Sequence, residues 1–301
     1  MTEHDMSSFW HVWVIGLTLL NIAGMVWLLW WTSKRRPGEV AQGEQTGHVW
    51  DGDLSEYNNP LPRWWLWMFY LTIAFSVIYL LLYPGLGRFA GFLGWSSVGQ
   101  FEQEMERAEA RFGPIFAEYA ARPIPELAQD PQARLTGQRL YLNYCATCHG
   151  TDARGAPGFP DLADAHWQWG GTPEAIKASI LDGRQGIMPA MGLALGEAGV
   201  AQVVHYVLSL SERADADPSL AEQGQPVFAM MCAACHGASG EGMSAMGAPD
   251  LTRNTWLYGG SVRAITHTIN EGRHGIMPPF RDFLGEDRVH VLAAYLYGLN
   301  Q

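Results

Sequence analysis

Two unbroken apolar runs dominate the first third of the chain. From Phe9 to Trp31 there are 23 residues with His11 as the only Asp, Glu, Lys, Arg or His, and from Trp64 to Tyr83 there are 20 with none of these. At about 1.5 Å per residue, roughly 20 residues cover the ~30 Å hydrocarbon core of a bilayer. Each run therefore predicts a transmembrane helix rather than a buried core helix. Trp27, Trp30 and Trp31 end the first run, and Trp64, Trp65 and Trp67 begin the second. These rings gather beside the short connection, where amphipathic aromatics favour the membrane interface. Beyond Tyr83 the pattern changes. Between Ser97 and Arg122, Glu102, Glu104, Glu106, Arg107, Glu109 and Arg111 interleave with Phe101, Met105, Ala108 and Phe112. That alternation predicts a solvated amphipathic spacer helix, ended near Pro114 because proline breaks the helical hydrogen-bond ladder.

The remainder of the chain repeats itself. Gly137, Cys145, Cys148, His149 and Gly150 recur 87 residues later as Gly224, Cys232, Cys235, His236 and Gly237. After a two-residue insertion the match resumes at an offset of 89, with Pro160-Asp161-Leu162 against Pro249-Asp250-Leu251 and Trp167 against Trp256. It runs on through Gly186-Ile187-Met188-Pro189 and Gly275-Ile276-Met277-Pro278 to Tyr206 and Leu210 against Tyr295 and Leu299. Two such repeats predict two copies of one small domain, joined by the polar stretch from Arg213 to Ser219. Each copy reads as a helix before and through the cysteines, a Gly/Pro-rich stretch, a short helix after Thr172 or Ser261, a methionine loop and a closing amphipathic helix, with little strand. The expected fold class is all-α: two transmembrane helices followed by two tandem domains. The divisions are 1–36 with the first membrane helix, 37–63 as a loop, 64–83 as the second membrane helix, 84–130 as the spacer, and 131–213 and 214–301 as the repeats.

Composition and charge add an orientation. The chain is 48% hydrophobic and only 16% charged, in keeping with part of it lying in lipid. Lys34, Arg35, Arg36 and Arg63 all fall in the connection, and none precedes Phe9. Basic residues stay on the cytoplasmic side, so residues 37–63 should be cytoplasmic and both termini outside. A cleaved signal peptide is the rival reading of the first run, but that run has no basic segment before it and no convincing small-residue cleavage site.

The four cysteines, Cys145, Cys148, Cys232 and Cys235, all stand in Cys-x-x-Cys-His. Cysteines three apart on a helix share a face, so their thiols can add to the two vinyl groups of one haem, and the adjacent histidine can meet the iron. This is the attachment signature of c-type haem, here twice, and it predicts two covalently bound haem c groups in class I cytochrome c domains. A thioredoxin-like pair or half of a zinc site does not explain why histidine follows in both copies. A haem would also complete domains too small to close a good apolar core alone. His149 and His236 are the expected proximal iron ligands. Met188 and Met277, matched within Gly-Ile-Met-Pro, are the expected sixth ligands, whereas Met191 is matched by Phe280 and Met243 and Met246 by nothing. By default each methionine would serve its own repeat, but the symmetry of the repeats leaves an exchange open. His/Met ligation leaves no vacant iron position. Trp167 and Trp256 read as propionate donors or core aromatics, and Arg184 and Arg273 as propionate partners or solvated cations. His166, His205, His267, His274 and His290 lack matched partners and read as surface or packing residues.

With these residues placed, the chain resembles the di-haem cytochrome c subunits of cbb3-type cytochrome c oxidases, the CcoP/FixP family. The loop reading GHVWDGDLSEYNNPLPRWW, from Gly47 to Trp65, is similar to the segment that leads this family into its membrane helix. The resemblance implies an electron-transfer subunit without a turnover site of its own. It would accept electrons from a soluble donor cytochrome c and pass them, through a mono-haem cytochrome c subunit, towards the haem-copper catalytic subunit. It implies a bacterial inner membrane, with the haem domains in the periplasm. Many relatives have one membrane helix, so the first helix here is an addition to the common core.

Two other readings compete: a membrane-tethered di-haem carrier serving another complex, and a haem enzyme or gas sensor, which would need an open iron position. Residues 84–301 hold 15 Lys and Arg against 23 Asp and Glu, a net of −8. An acidic surface suits a basic cytochrome donor, and no basic patch or reader motif points to nucleic acid.

Overall fold

The structure, a computed structural model, describes residues 7–301. It divides into two compact units, the first reaching Glu109 and the second running from Ala110 to Gln301.

In the first unit the two apolar runs form helices α1 (Ser8–Thr32) and, after a two-stranded antiparallel ribbon of β1 (Gln45–Trp50) and β2 (Leu54–Tyr57), α2 (Arg63–Leu82). The backbone N–H of Arg88, just past α2, donates to Nδ1 of His11 at 2.9 Å. The start of α1 therefore lies beside the segment that follows the end of α2, so the two helices run antiparallel. Leu29 is the only residue of either helix that is buried. Helix α3 (Ser97–Ala120) leaves this unit and enters the second. It does not stop at Pro114 as its sequence suggests. The turn beyond the proline is held from outside: the Arg288 guanidinium lies 4.9 Å from the Phe116 ring centre and Tyr119 packs on the core of the second unit. Tertiary contact of this kind offsets the lost N–H.

The second unit continues with α4 (Ile124–Leu127), α5 (Pro131–Tyr144), α6 (Ala146–His149), α7 (Pro173–Asp182), β3 (Arg184–Met188) and α8 (Gly192–Leu210). The second repeat supplies α9 (Pro218–Met231), α10 (Ala233–His236), α11 (Val262–Glu271), β4 (Arg273–Met277), α12 (Arg281–Leu284) and α13 (Glu286–Tyr297). Matched caps start matched helices. Asp130 and Asp217 each accept two backbone N–H bonds at the starts of α5 and α9, and Thr172 and Ser261 cap α7 and α11. Gly196 breaks the helical geometry of α8 where Gly285 separates α12 from α13. The chain is mostly helical rather than purely so, because of the two ribbons.

Both apolar cores of this unit draw on residues of both repeats. One core joins Ile124, Leu127, Tyr141, Ile176 and Ile180 of the first repeat region to Val289, Leu292 and Tyr295 of the second. The other joins Val200, Val203, Val204 and Leu208 of the first repeat to Phe228, Ile265 and Ile269 of the second. Each closing helix thus packs on the opening helix of the other repeat, α13 on α5 and α8 on α9. The matched glycines show how closely. A β-carbon at Gly137 would sit 2.5 Å from Cβ of Tyr295, and one at Gly224 would sit 2.9 Å from Cβ of Tyr206, so only glycine lets these helices cross there.

The exchange passes through β3 and β4, which pair antiparallel with Arg184 opposite Met277, Gly186 opposite Gly275 and Met188 opposite Arg273. Entry to each strand is a left-handed glycine, Gly183 at φ 69° and Gly272 at φ 73°. These turn the chain out of α7 and α11 into an extended path, where any side chain would be strained. Each strand then finds its hydrogen-bond partner only in the other, which satisfies both backbones at the crossing. Beyond the ribbon, Met191 N–H donates to the Ile269 carbonyl at 2.8 Å and Phe280 N–H to the Ile180 carbonyl at 3.0 Å. The second core is therefore a continuous run of chain, residues 189–272, set between the two segments that make the first. Helices α1, α2 and α8 are all long and apolar enough to cross a membrane, but α8 contributes five buried side chains to the second apolar core.

Candidate functional site

The two Cys-x-x-Cys-His motifs fold alike. Cys145 and Cys232 end α5 and α9, and the short helices α6 and α10 carry the following cysteine and histidine. Gly150 and Gly237 stop them at φ 77° and 80°, a left-handed turn that explains glycine directly after each histidine. The buried Tyr141 donates its hydroxyl to the Gly150 carbonyl at 2.6 Å and so fastens the first motif. The second has Phe228 at the matched place.

Each histidine is oriented from behind. Nδ1 of His149 lies 3.1 Å from the Pro160 carbonyl, and Nδ1 of His236 lies 3.2 Å from the Pro249 carbonyl. An Nδ1–H donated to a carbonyl fixes the tautomer and leaves the Nε2 lone pair free for a metal. Burial lowers the basicity of both imidazoles, partly opposed by these carbonyls, and keeps them neutral as an iron ligand must be. Pro160 and Pro249 were matched in sequence, but nothing there marked their carbonyls as the orienting groups.

Burial drives the Cys145 thiol up to about 11, and the Cys232 thiol also upward. A thioredoxin-like pair needs the opposite shift. Among the described residues no group of three His, Cys, Asp or Glu side chains converges as a zinc site would require. The paired thiols beside a pre-oriented imidazole fit a covalently attached haem.

The methionines cross over. Met277 and Phe280 pack on the core that holds Cys145, Ala146, Leu162 and Trp167, whereas Met188 and Met191 pack on the core that holds Cys232, Ala233, Leu251 and Trp256. Each matched Met thus shares an apolar core with the first motif cysteine of the other repeat. Arg184 and Arg273 stay with their own. Their register opposite Met277 and Met188 puts Arg184 at the first motif's end of the ribbon and Arg273 at the second's. Nε of Arg184 donates to Ser179 Oγ and Nε of Arg273 to Thr268 Oγ1, both at 2.9 Å, so each guanidinium is held with its Nη donors available. Trp256 spends its indole N–H on Asn254 Oδ1 at 2.9 Å. Position 165, matched to Asn254, is alanine, and the Trp167 indole N–H has no acceptor among the described residues.

The unmatched histidines behave as packing or surface groups. His290 Nε2 meets the Arg122 carbonyl at 2.8 Å, His205 Nδ1 accepts from Asp217 N–H at 3.0 Å, His166 and His274 bond Arg253 and Gln185, and His267 is exposed.

Comparison with known proteins agrees with this arrangement. Residues 42–90 match the family described as N-terminal domain of cytochrome oxidase-cbb3, FixP, and residues 132–207 and 219–296 match cytochrome C oxidase, cbb3-type, subunit III. A relative from Rubrivivax gelatinosus, cbb3-type cytochrome c oxidase subunit CcoP, is 46% identical over 98% of this chain and 96% of its own length. Subunit FixP of Azorhizobium caulinodans is 37% identical over 89% of this chain and 97% of its own. Subunit CcoP of Cereibacter sphaeroides is 36% identical over the same 89% share. At 98% coverage the Rubrivivax match takes in the residues of α1. The paired haem-attachment motifs, the residues leading into α2 and these near-full-length identities place the chain in the CcoP/FixP family of cbb3-type cytochrome c oxidase subunits.

Proposed function

We propose that the chain is the membrane-anchored electron-entry subunit of a cbb3-type oxidase, carrying two haem c groups whose sixth ligands are exchanged between repeats. One observation carries it: two histidines with oriented rings, each beside two attachment cysteines, and each sharing its core with the methionine of the other repeat. In this reading Cys145 and Cys148 hold the first haem and Cys232 and Cys235 the second. His149 and Met277 ligate the first iron, His236 and Met188 the second. Arg184 and Arg273, with Trp167, would meet propionates, and Trp256, which donates to Asn254, would act through that residue. Each bound haem supplies a one-electron iron couple. The chain's own contribution would be to hold each iron with a histidine and a methionine, a ligation that raises the potential and leaves no open position for oxygen, and to exclude water with the surrounding cores. Electrons would enter from a soluble donor cytochrome c, drawn to the acidic surface, and leave through a mono-haem cytochrome c subunit towards the haem-copper catalytic subunit.

Helices α1 and α2 span the inner membrane as an antiparallel pair, with the loop bearing Lys34, Arg35, Arg36 and Arg63 in the cytoplasm and the haem domains in the periplasm. A cysteine at Gly43 should resist a membrane-impermeant thiol reagent in intact cells, and one at Ser97 should react. Labelling at Gly43 would reverse the orientation. The haem content tests the reading itself: haem released per chain, measured on the purified protein, should be two. One haem per chain would refute it.

A further inference from the structure

The inner face of the β3–β4 ribbon connects the two motif sites. Arg184, Gly186 and Met188 alternate onto one face with Arg273, Gly275 and Met277, while Ile187 and Ile276 point outward and are 68% and 66% exposed. At the middle of that inner face the paired glycines leave no side chains of their own. Two aromatic rings take the space. A β-carbon at Gly186 would lie 3.8 Å from Trp169 Cζ2, and one at Gly275 would lie 3.4 Å from the Tyr258 hydroxyl.

Trp169 and Tyr258 occupy matched positions, 89 residues apart, and both are only half-buried. Each reaches the ribbon's centre beneath its own arginine. The Arg184 guanidinium stands 5.2 Å from the Trp169 ring centre and that of Arg273 stands 4.4 Å from Tyr258. Each is also locked into the other repeat. Trp169 abuts Gly247, whose carbonyl accepts from Gln168, and Tyr258 lies 3.5 Å from a β-carbon built at Gly158, whose N–H donates to the Leu257 carbonyl at 2.8 Å. The same four positions thus form both halves of a pseudo-twofold contact between the sites. Core packing does not require this, because neither ring belongs to either apolar core.

We propose that Trp169 and Tyr258, each lying against one glycine of the Gly186–Gly275 pair, are the bridge through which an electron passes between the two haem sites. Electron tunnelling falls steeply with distance and falls fastest through empty space, so rings that fill the space beneath the ribbon between the sites raise the rate. The step is a one-electron exchange: the reduced site loses an electron, the oxidised site gains it, no bond forms or breaks, and neither ring is itself oxidised. The proposal rests on the two-haem reading, and the two fail differently, since a wrong haem count overturns that reading before any bridge is measured.

The test uses the full chain in its purified complex. A short reducing pulse is followed by optical relaxation between the haems, with spectra and equilibrium potentials recorded for every variant. Trp169→Leu and Tyr258→Leu should each slow the exchange at least about tenfold while both haems keep their spectra and potentials. Tyr258→Phe, which keeps the ring, should leave the rate within about twofold. Should a leucine variant fail to bind both haems, Trp169→Phe replaces it. That smaller ring should slow exchange two- to threefold, and an unchanged rate would count against the bridge. Equal rates in all variants that retain both haems would overturn it.

Discussion

Replacing Met188 by alanine should open the haem of the second repeat, not the first. The thioether lies in the core that holds Cys232 and Trp256, so its loss should vacate the iron position opposite His236, lower that haem's potential and let carbon monoxide bind. Combining variants identifies the haem. Two changes at one site should not add, whereas changes at separate sites should. Met188→Ala with His236→Ala should therefore expose one haem to carbon monoxide, and Met188→Ala with His149→Ala should expose two. The reverse pattern would return each methionine to its own repeat.

Ending the chain after Gly272 should have a larger effect, and at a site distant in sequence. The missing residues include β4, Met277, α12 and α13, with Val289, Leu292, Ala293, Ala294, Tyr295 and Leu296, all buried. Burying a large apolar side chain contributes about 1.5–3 kcal/mol, and a domain's whole stability is about 5–15 kcal/mol, so a core losing this set has little margin left. The casualty should be the first repeat's haem at His149, since α13 covers α5 there. The second repeat's haem should persist, because residues 189–272 keep their own core and Met188 remains. Haem peptide mapping after the truncation reads this directly. Loss of the haem at Cys232 and Cys235 with retention of that at Cys145 and Cys148 would mean that the repeats fold separately.

Much of this was legible from the residues. Apolar runs gave α1 and α2 their bounds within a few residues, because a charge-free stretch has few alternatives. Thr172 and Ser261 did begin helices, since local capping is short-range chemistry. The cysteine motifs and the matched methionines stood out because duplication separated matched residues from unmatched ones, although Met188 and Met277 end strands β3 and β4 where a loop was expected. The exchange of closing helices was not legible. The two repeats present nearly equivalent surfaces, so Gly137 can receive Tyr206 or Tyr295 with the same local pattern, and the choice depends on where the chain goes after Gly183. That turn needs a left-handed glycine in either topology. The carbonyls of Pro160 and Pro249 were equally hidden, because a backbone oxygen leaves no residue-type signature. Pro114 misled for a related reason: a helix breaker is judged locally, whereas Phe116 and Tyr119 are held by residues from far along the chain.

Electron entry itself can be watched in the detergent-purified oxidase. Oxidised complex mixed anaerobically with reduced donor cytochrome c should show the c-type haems of this chain reduced first and the haems of the catalytic subunit afterwards, and a complex stripped of the chain should lose the fast first phase. Reduction of the catalytic subunit at the same rate with and without this chain would contradict its role as the point of entry.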